Sequence, residues 1–281
     1  MSHPLSRILV ATDMSARSDR AVERAFQLGA ELGLPVEALL VLDDALPEDL
    51  LAPLHDKANA QLEAICARCA DGRPYTVSVQ PGDPTEEILK AAVPEETSLL
   101  VMGPHRPRPF LDSLRETTMQ RIVRRTAAPV LLAREPVTGP YTGILSLLDY
   151  GAVSTAALHM GAALAPSARI TAAHAINIPY AGALDTTGAV QMDLQVAFQE
   201  DAKAEDAAWR ERTDLPAQLT PDTHMAQSPP MSFVADLTQG GQYDLITAGA
   251  HGRVGAARSY LGSLALDLMR NPPCDVLIAR A

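Results

Sequence analysis

Gly249-Ala-His-Gly252, nine further residues and then Gly262-Ser263 form the spacing in this chain best suited to hold a small anion. The first glycine closes an apolar run, Asp244-Leu-Ile-Thr-Ala-Gly249, of the kind that forms a buried strand. Glycines at such a strand end let the backbone come close to a bound group. The Gly262-Ser263 pair opens a stretch of helical periodicity, and a helix start offers free backbone N–H groups at the positive end of its dipole. The spacing therefore predicts a strand–loop–helix cradle for phosphate. The Ser263 hydroxyl is expected to cap the helix while donating to the anion, and Arg253 adds a cation. Each glycine alone would serve equally well in a turn; the set of spaced residues carries the expectation. His251 reads as a loop residue without a neighbouring base, so a proton-transfer role is not expected of it.

The elements that must position this cradle occur twice. Arg7-Ile-Leu-Val-Ala-Thr-Asp13 is an apolar strand ending in an aspartate, followed by a helical pattern from Ser18. Gly143-Ile-Leu-Ser-Leu-Leu-Asp149 repeats the strand, and the stretch from Ser154 repeats the helix. Near the far ends, Ala128-Pro-Val-Leu-Leu-Ala-Arg134 matches Cys274-Asp-Val-Leu-Ile-Ala-Arg280. Two copies of one unit account for this, with a boundary in the Pro136–Gly143 stretch. The expected domains are 1–138 and 141–281. Each reads β-α-β-α-β-α-β-α-β, with strands near 7–12, 36–42, 75–80, 98–103 and 130–133, then 143–148, 168–175, 217–224, 244–248 and 275–279. Helices are expected near 17–32, 47–70, 84–93 and 114–126. The fold class is α/β: two tandem doubly wound, Rossmann-like domains with mostly parallel sheets covered on both faces. A helix near 191–212 puts Leu194, Phe198 and Trp209 on one face, read as core packing.

Ligands of such sheets bind beyond the carboxyl ends of the strands, where strand order reverses. Asp149, Ala175 and Gly249 end three strands of the second half and should meet there. Asp149 could equally cap its following helix. His174 is expected to be a satisfied core histidine.

The G-x-x-G-x9-G-S spacing, His251-Gly-Arg253, Leu261-Gly-Ser-Leu264 and the closing Cys274–Arg280 stretch together resemble the universal stress protein family. The resemblance extends over both halves. It implies domains of the adenine-nucleotide alpha-hydrolase-like type, a cytoplasmic regulatory protein of the stress response, and a bound ATP, ADP or AMP, with or without magnesium. It places Asp149 against the adenosine end and the backbone of Ala175 on the adenine edge. Gly249, His251, Gly252, Arg253, Gly262, Ser263 and Leu264 fall around the ribose and phosphates. It further implies that the strands at 130–133 and 275–279 pair the two halves within one chain, that two chains form a homodimer, and that a protein partner of unknown identity reads the nucleotide state. Two departures stand out. Asp13-Met-Ser15 becomes Asp149-Tyr-Gly151, losing a hydroxyl, and Gly82 of the first half has no counterpart at Ser228. An enzyme of the same architecture, a slow ATPase at most, is the alternative, and a nucleotide-free interaction module is a third; neither an S-G-G-x-D-S loop nor an H-x-G-H motif occurs.

The first half has lost the cradle. Its matching segment reads Gly103-Pro-His-Arg106, nine residues, then Glu116-Thr117, with Pro107 and Pro109 stiffening the loop. A carboxylate about 4 Å from a phosphate costs about 4 kcal/mol per charge pair at an effective dielectric of about 20, a loss of roughly a thousandfold in affinity. No family-type ATP site is expected there. His105, Arg106 and Arg108 read as solvated residues of a drifted, unused site, or as a surface for a partner or another anion.

Composition sets the outer bounds. The 281 residues carry a net charge of −11 and are 47% hydrophobic, enough for a large core. The acidic balance argues against nucleic acid or an anionic membrane surface as partner. No apolar run is long enough to span a bilayer, and the first residues lack signal-peptide character. Three cysteines make no disulfide framework, and a reducing compartment is expected. Cys66 and Cys69 share a helix face and read as packing residues.

Overall fold

The computed structural model describes residues 5–43, 48–92, 99–104, 117–176, 188–252 and 261–280. In the first half the elements run β1 (Ile8–Thr12), α1 (Ala16–Leu32), β2 (Val36–Leu42), α2 (Glu48–Ala70), β3 (Tyr75–Pro81), α3 (Pro84–Ala91), β4 (Leu99–Met102), α4 (Thr118–Arg125) and β5 (Val130–Leu132). In the second they run β6 (Gly143–Leu147), α5 (Ala152–Leu164), β7 (Arg169–Ala175), α6 (Gly188–Arg212), β8 (Leu219–Ala226), α7 (Pro230–Thr238), β9 (Leu245–Gly249), α8 (Ser263–Arg270) and β10 (Asp275–Ala279).

The strands form one ten-stranded sheet in the order β3-β2-β1-β4-β5-β10-β9-β6-β7-β8. Pairing is parallel within each half, and the chain reverses strand order between β1 and β4 and again between β6 and β9. The halves join through β5 and β10, antiparallel, with Leu131 opposite Leu277. Both strands are buried throughout, which only a sheet covered on both faces permits.

Alternation along the strands builds two cores. Ile8 and Val10 belong to the layer with Ala21 and Val22 of α1, Leu62 of α2, Leu158 of α5 and Trp209 of α6. Leu9 and Ala11 belong to the opposite layer, with Ile88 of α3, Ile122 of α4, Val234 of α7 and Leu268 of α8. Each layer runs across the β5–β10 seam.

The expected packing of α6 is corrected in part. Trp209 is fully buried and its Nε1–H donates to Thr155 Oγ1 at 2.9 Å. Leu194 is exposed and Phe198 only half-buried. A helix of 25 residues is about 37 Å long, whereas the seven residues of β7 span about 23 Å; α6 is too long for its whole apolar face to lie on the sheet. The loop expected to lengthen the second half, near 178–190, lies largely outside the described residues.

Candidate functional site

A cavity of about 250 Å³ opens beyond the carboxyl ends of β6, β7 and β9, where the strand order of the second half reverses. Asp149, Ala175, Gly249, His251, Gly252, Gly262, Ser263 and Leu264 all line it. Arg253 lies outside the described residues. Sequence reasoning missed the apolar wall: Leu147, Ala173 and Ala248 from the strand ends, with Pro230, Phe233 and Val234 from the first turns of α7. Their spacing is that of ordinary core positions, so nothing local marked them as lining residues.

Asp149 is held by its own helix start. Its Oδ1 accepts from the Gly151 N–H at 3.0 Å and from Ser154 Oγ at 2.5 Å. Asp13 is held alike, by the Ser15 N–H at 3.0 Å and Ser18 Oγ at 2.6 Å. Both halves thus keep the serine five residues beyond the aspartate, whereas the hydroxyl of Ser15, which caps α1, is lost at Gly151, where α5 starts without a side-chain cap. The other aspartate oxygen, Oδ2, lies 3.5 Å from where a Cβ on Gly252 would stand, so it faces the glycine loop. The residue after each aspartate, Met14 or Tyr150, takes a left-handed backbone conformation, with φ of 56° and 60°, which is uncommon for residues other than glycine.

His174 is satisfied, as expected, but stands half-buried on the cavity wall rather than in the core. Its Nδ1–H donates to the Leu148 carbonyl at 2.8 Å. Its ring lies 4.7 Å from that of buried Tyr150, which in turn sits 5.7 Å from Trp209. Burial, and then the neighbouring Asp206 carboxylate, push the Tyr150 phenol far above its ordinary value.

The glycines divide by role. A Cβ on Gly249 would meet Val153 Cγ1 at 3.0 Å and the Ser154 nitrogen at 3.2 Å. Gly103, its counterpart, would meet the Arg17 carbonyl at 2.9 Å. Both halves thus need this glycine to seat a strand end against a helix start. Cβ atoms on Gly252 and Gly262 would make only ordinary contacts, the nearest at 3.5 and 3.4 Å, and neither position has a left-handed backbone. Packing among the described residues does not demand these two glycines.

The start of α8 corrects the expected cap. Gly262 is the N-cap, with extended backbone, and Ser263 is already in the first turn; no side chain caps the helix. The first intrahelical bond runs from the Leu266 N–H to the Gly262 carbonyl at 3.0 Å, so the N–H groups of Ser263, Leu264 and Ala265 have no partner inside the helix. The Gly262 N–H is tied to the Ala250 carbonyl at 2.8 Å, and the Ala250 N–H to the Ala279 carbonyl at 2.8 Å, fixing the cradle to the sheet. An apolar slot with an aspartate at one end and open helix donors at the other can take a flat ring, a hydroxylated middle and an anionic tail.

The corresponding helix of the first half carries a side-chain cap. Thr117 Oγ1 accepts from the Gln120 N–H at 3.2 Å, and Gln120 Oε1 accepts from the Thr117 N–H at 3.0 Å, a reciprocal capping box. Glu116 and the loop carrying His105, Arg106, Pro107, Arg108 and Pro109 lie outside the described residues. Away from both crevices, Cys66 is buried in α2 with its thiol pushed up to about 12 by burial, in keeping with a packing residue.

The family model described as the universal stress protein family matches the chain twice, at residues 4–134 and 140–280. No curated protein matches it. Among solved structures, a universal stress protein from Archaeoglobus fulgidus DSM 4304 is similar with a TM-score of 0.70 at 18% identity, covering 99% of this chain and 97% of that one. A functionally unknown protein from Pseudomonas aeruginosa PAO1 has a TM-score of 0.63 at 18% identity, covering 98% and 92%. At these identities the structural likeness concerns the fold.

Proposed function

The chain belongs to the universal stress protein family, and from that premise we propose that its second half binds an adenine nucleotide and signals its presence to a protein partner in the stress response. The observation that carries this reading is the uncapped start of α8. Its leading N–H groups, which have no partner inside the helix, open into an apolar crevice, beside two glycines that packing among the described residues does not require. The adenine would lie along the wall formed by Ala175 and Phe233, with Asp149 accepting from ribose hydroxyls through Oδ2. Gly252, Gly262, Ser263 and Leu264 would face the phosphates, and Arg253 would add charge neutralisation. ATP is the preferred ligand, with ADP or AMP as weaker occupants and any magnesium carried in on the phosphates. Binding to the folded state alone would stabilise the second half and make partner affinity depend on occupancy.

In this reading the protein is cytoplasmic and a regulator, with slow ATP hydrolysis at most. The β5–β10 seam is used within the chain, so a homodimer would form through another surface.

The deciding experiment releases copurified small molecules by heat from freshly isolated protein and separates them by chromatography, then titrates ATP into the stripped protein. An adenine nucleotide near one per chain, and saturable ATP binding at one site, are the expected results. A stripped protein that shows no binding heat with ATP, ADP or AMP overturns the reading, and steady turnover well above background would replace the regulator with an enzyme.

A further inference from the structure

We infer that the projecting start of α6 is the docking surface for a partner's basic amphipathic helix. The inference rests on the reading of the chain as a regulator with a protein partner, and it names the surface and the chemistry of that partner. Helix α6 leads from β7 back to β8, so its first turns stand at the carboxyl ends of the strands. Gln227, the residue after β8, donates through Nε2 to the Gln195 carbonyl at 2.5 Å. Gln195 is thus about level with the end of the sheet, and the turns before it stand beyond the strands.

The apolar surface of the described residues gathers there. Their exposed large hydrophobic side chains are Leu54, Met192, Leu194 and Val196. Three of these four fall on one short stretch of α6, and a cluster, unlike a single exposed leucine, marks an interaction site. Met192 is 64% exposed and Val196 57%. They lie one turn apart on one face, and Gln199 and Lys203 continue that line at helical spacing. At Gln199 the line enters a groove of about 340 Å³ between α6 and β8, the edge strand of the sheet, with Asp222 and Met225 on its far wall. An apolar strip that runs into a groove matches the shape of a docked helix.

Charge selects the occupant. Asp193, Glu200 and Asp201 are the only charged residues in 188–201, and Asp222 stands exposed across the groove. The nearby cations are engaged: Lys203 pairs with Glu200 at 2.9 Å and Arg210 with Asp206 at 2.9 Å. A second copy of this chain, itself of net charge −11, would set these carboxylates against their like, and an anionic lipid surface would be repelled in the same way. An apolar stripe bordered by lysine or arginine complements both the strip and its acidic flanks.

The test uses the full chain and a fluorescently labelled peptide of about 18 leucines and lysines in amphipathic order, long enough to hold a helix. The controls are the same residues scrambled, and the amphipathic peptide with glutamate for lysine. In anisotropy titrations the basic amphipathic peptide is expected to bind saturably, one per chain, at least tenfold more tightly than either control. Met192→Gln/Val196→Gln and Asp193→Lys/Asp222→Lys should each weaken it at least tenfold with circular dichroism unchanged, since all four positions are exposed. Leu54→Gln, at the exposed apolar position on α2, should leave it unaltered. Should the glutamine pair disturb the fold, the lysine pair decides. No preference over the scrambled peptide, or binding indifferent to both α6-surface variants, would overturn the inference. So would a two-chain species in sedimentation that Met192→Gln/Val196→Gln abolishes, which would assign the strip to a second copy. ATP titrated into the same chain tests the nucleotide reading separately: ATP binding kept while peptide binding fails sinks the surface alone.

Discussion

At the residue scale, the glycines of one motif do unlike things. Gly249 was legible as a glycine but not as a packing requirement; the structure shows that by the match with Gly103, whose half lacks the rest of the cradle. Gly249→Ala should therefore cost stability, about 1–3 kcal/mol for an overpacked contact, and Gly103→Ala should cost a similar amount with no effect on nucleotide. Urea unfolding of the two variants checks this. Gly262→Glu should behave in the opposite way. Its Cβ meets only ordinary contacts among the described residues, so melting should change little, while a carboxylate at the phosphate position should weaken ATP by roughly a thousandfold in a calorimetric titration. ATP affinity unchanged in Gly262→Glu would mean that the tail does not lie on α8. The Asp149 clasp was half legible: the aspartate, its helix and the cap hydroxyl missing at Gly151 are in the sequence pattern, but the serine five residues on, present in both halves, belongs to no motif that marks it. One helical turn carries Ser154 back over Asp149 Oδ1, and Ser18 over Asp13 in the same way.

At the element scale, strands were the most legible feature because those buried on both faces read as short continuous apolar runs, as Leu99–Met102 and Leu245–Gly249 do. Helix starts were less so, although the chemistry was present. Thr117-Thr-Met-Gln120 has the spacing of a capping box and places the α4 start at Thr118; Ser263-Leu-Ala-Leu266 lacks the third-position amide, and there the cap falls back to Gly262. Length misled the reading of α6, since periodicity marks an apolar stripe but not how far the sheet beneath it extends. The α3 start offers a test of cap chemistry by pH. Asp83 accepts from the N–H groups of Thr85 at 2.9 Å and Glu86 at 3.0 Å. The bond from Glu86 leads the causes that hold its carboxyl below the ordinary aspartate value. A carboxyl lowered by folding contributes stability above its unfolded pKa and loses it as pH falls through the folded one. Asp83→Ala should thus cost about 1 kcal/mol near neutrality, and the gap to the unsubstituted protein should narrow in melts taken progressively below about pH 4. A gap that widens with acid would contradict the assigned cause.

At the scale of the whole molecule, the two halves are fastened by one buried charge pair as well as by the β5–β10 ladder. Asp275, at the start of β10, is fully buried. Its Oδ1 accepts from the backbone N–H groups of Arg134 at 2.7 Å and Glu135 at 2.9 Å; its Oδ2 accepts from the Tyr141 hydroxyl at 2.6 Å and lies 3.2 Å from Arg24 Nε. Arg24 belongs to α1 of the first half, stacks 4.2 Å over the Tyr141 ring and donates to the Gly139 carbonyl at 3.0 Å. First-half helix, linker and last strand therefore meet on one carboxylate. The repeat pattern could not reveal this, because Pro129 occupies the matching place in the first half and the pairing exists only once the halves have come together. Burial, with the Asp275 charge behind it, drives the Tyr141 phenol well above its usual range, which keeps it a donor across the accessible pH range. Removing one partner of such a pair strands the other in low dielectric. Asp275→Ala should destabilise the chain by about 3–5 kcal/mol, and Arg24→Leu by a comparable amount, measured by urea unfolding. The Arg24→Leu/Asp275→Ala double variant should lose less than the two losses added, because the stranded charge is gone. Strictly additive losses would show that the two side chains do not act on each other and that the seam is held by the strands alone.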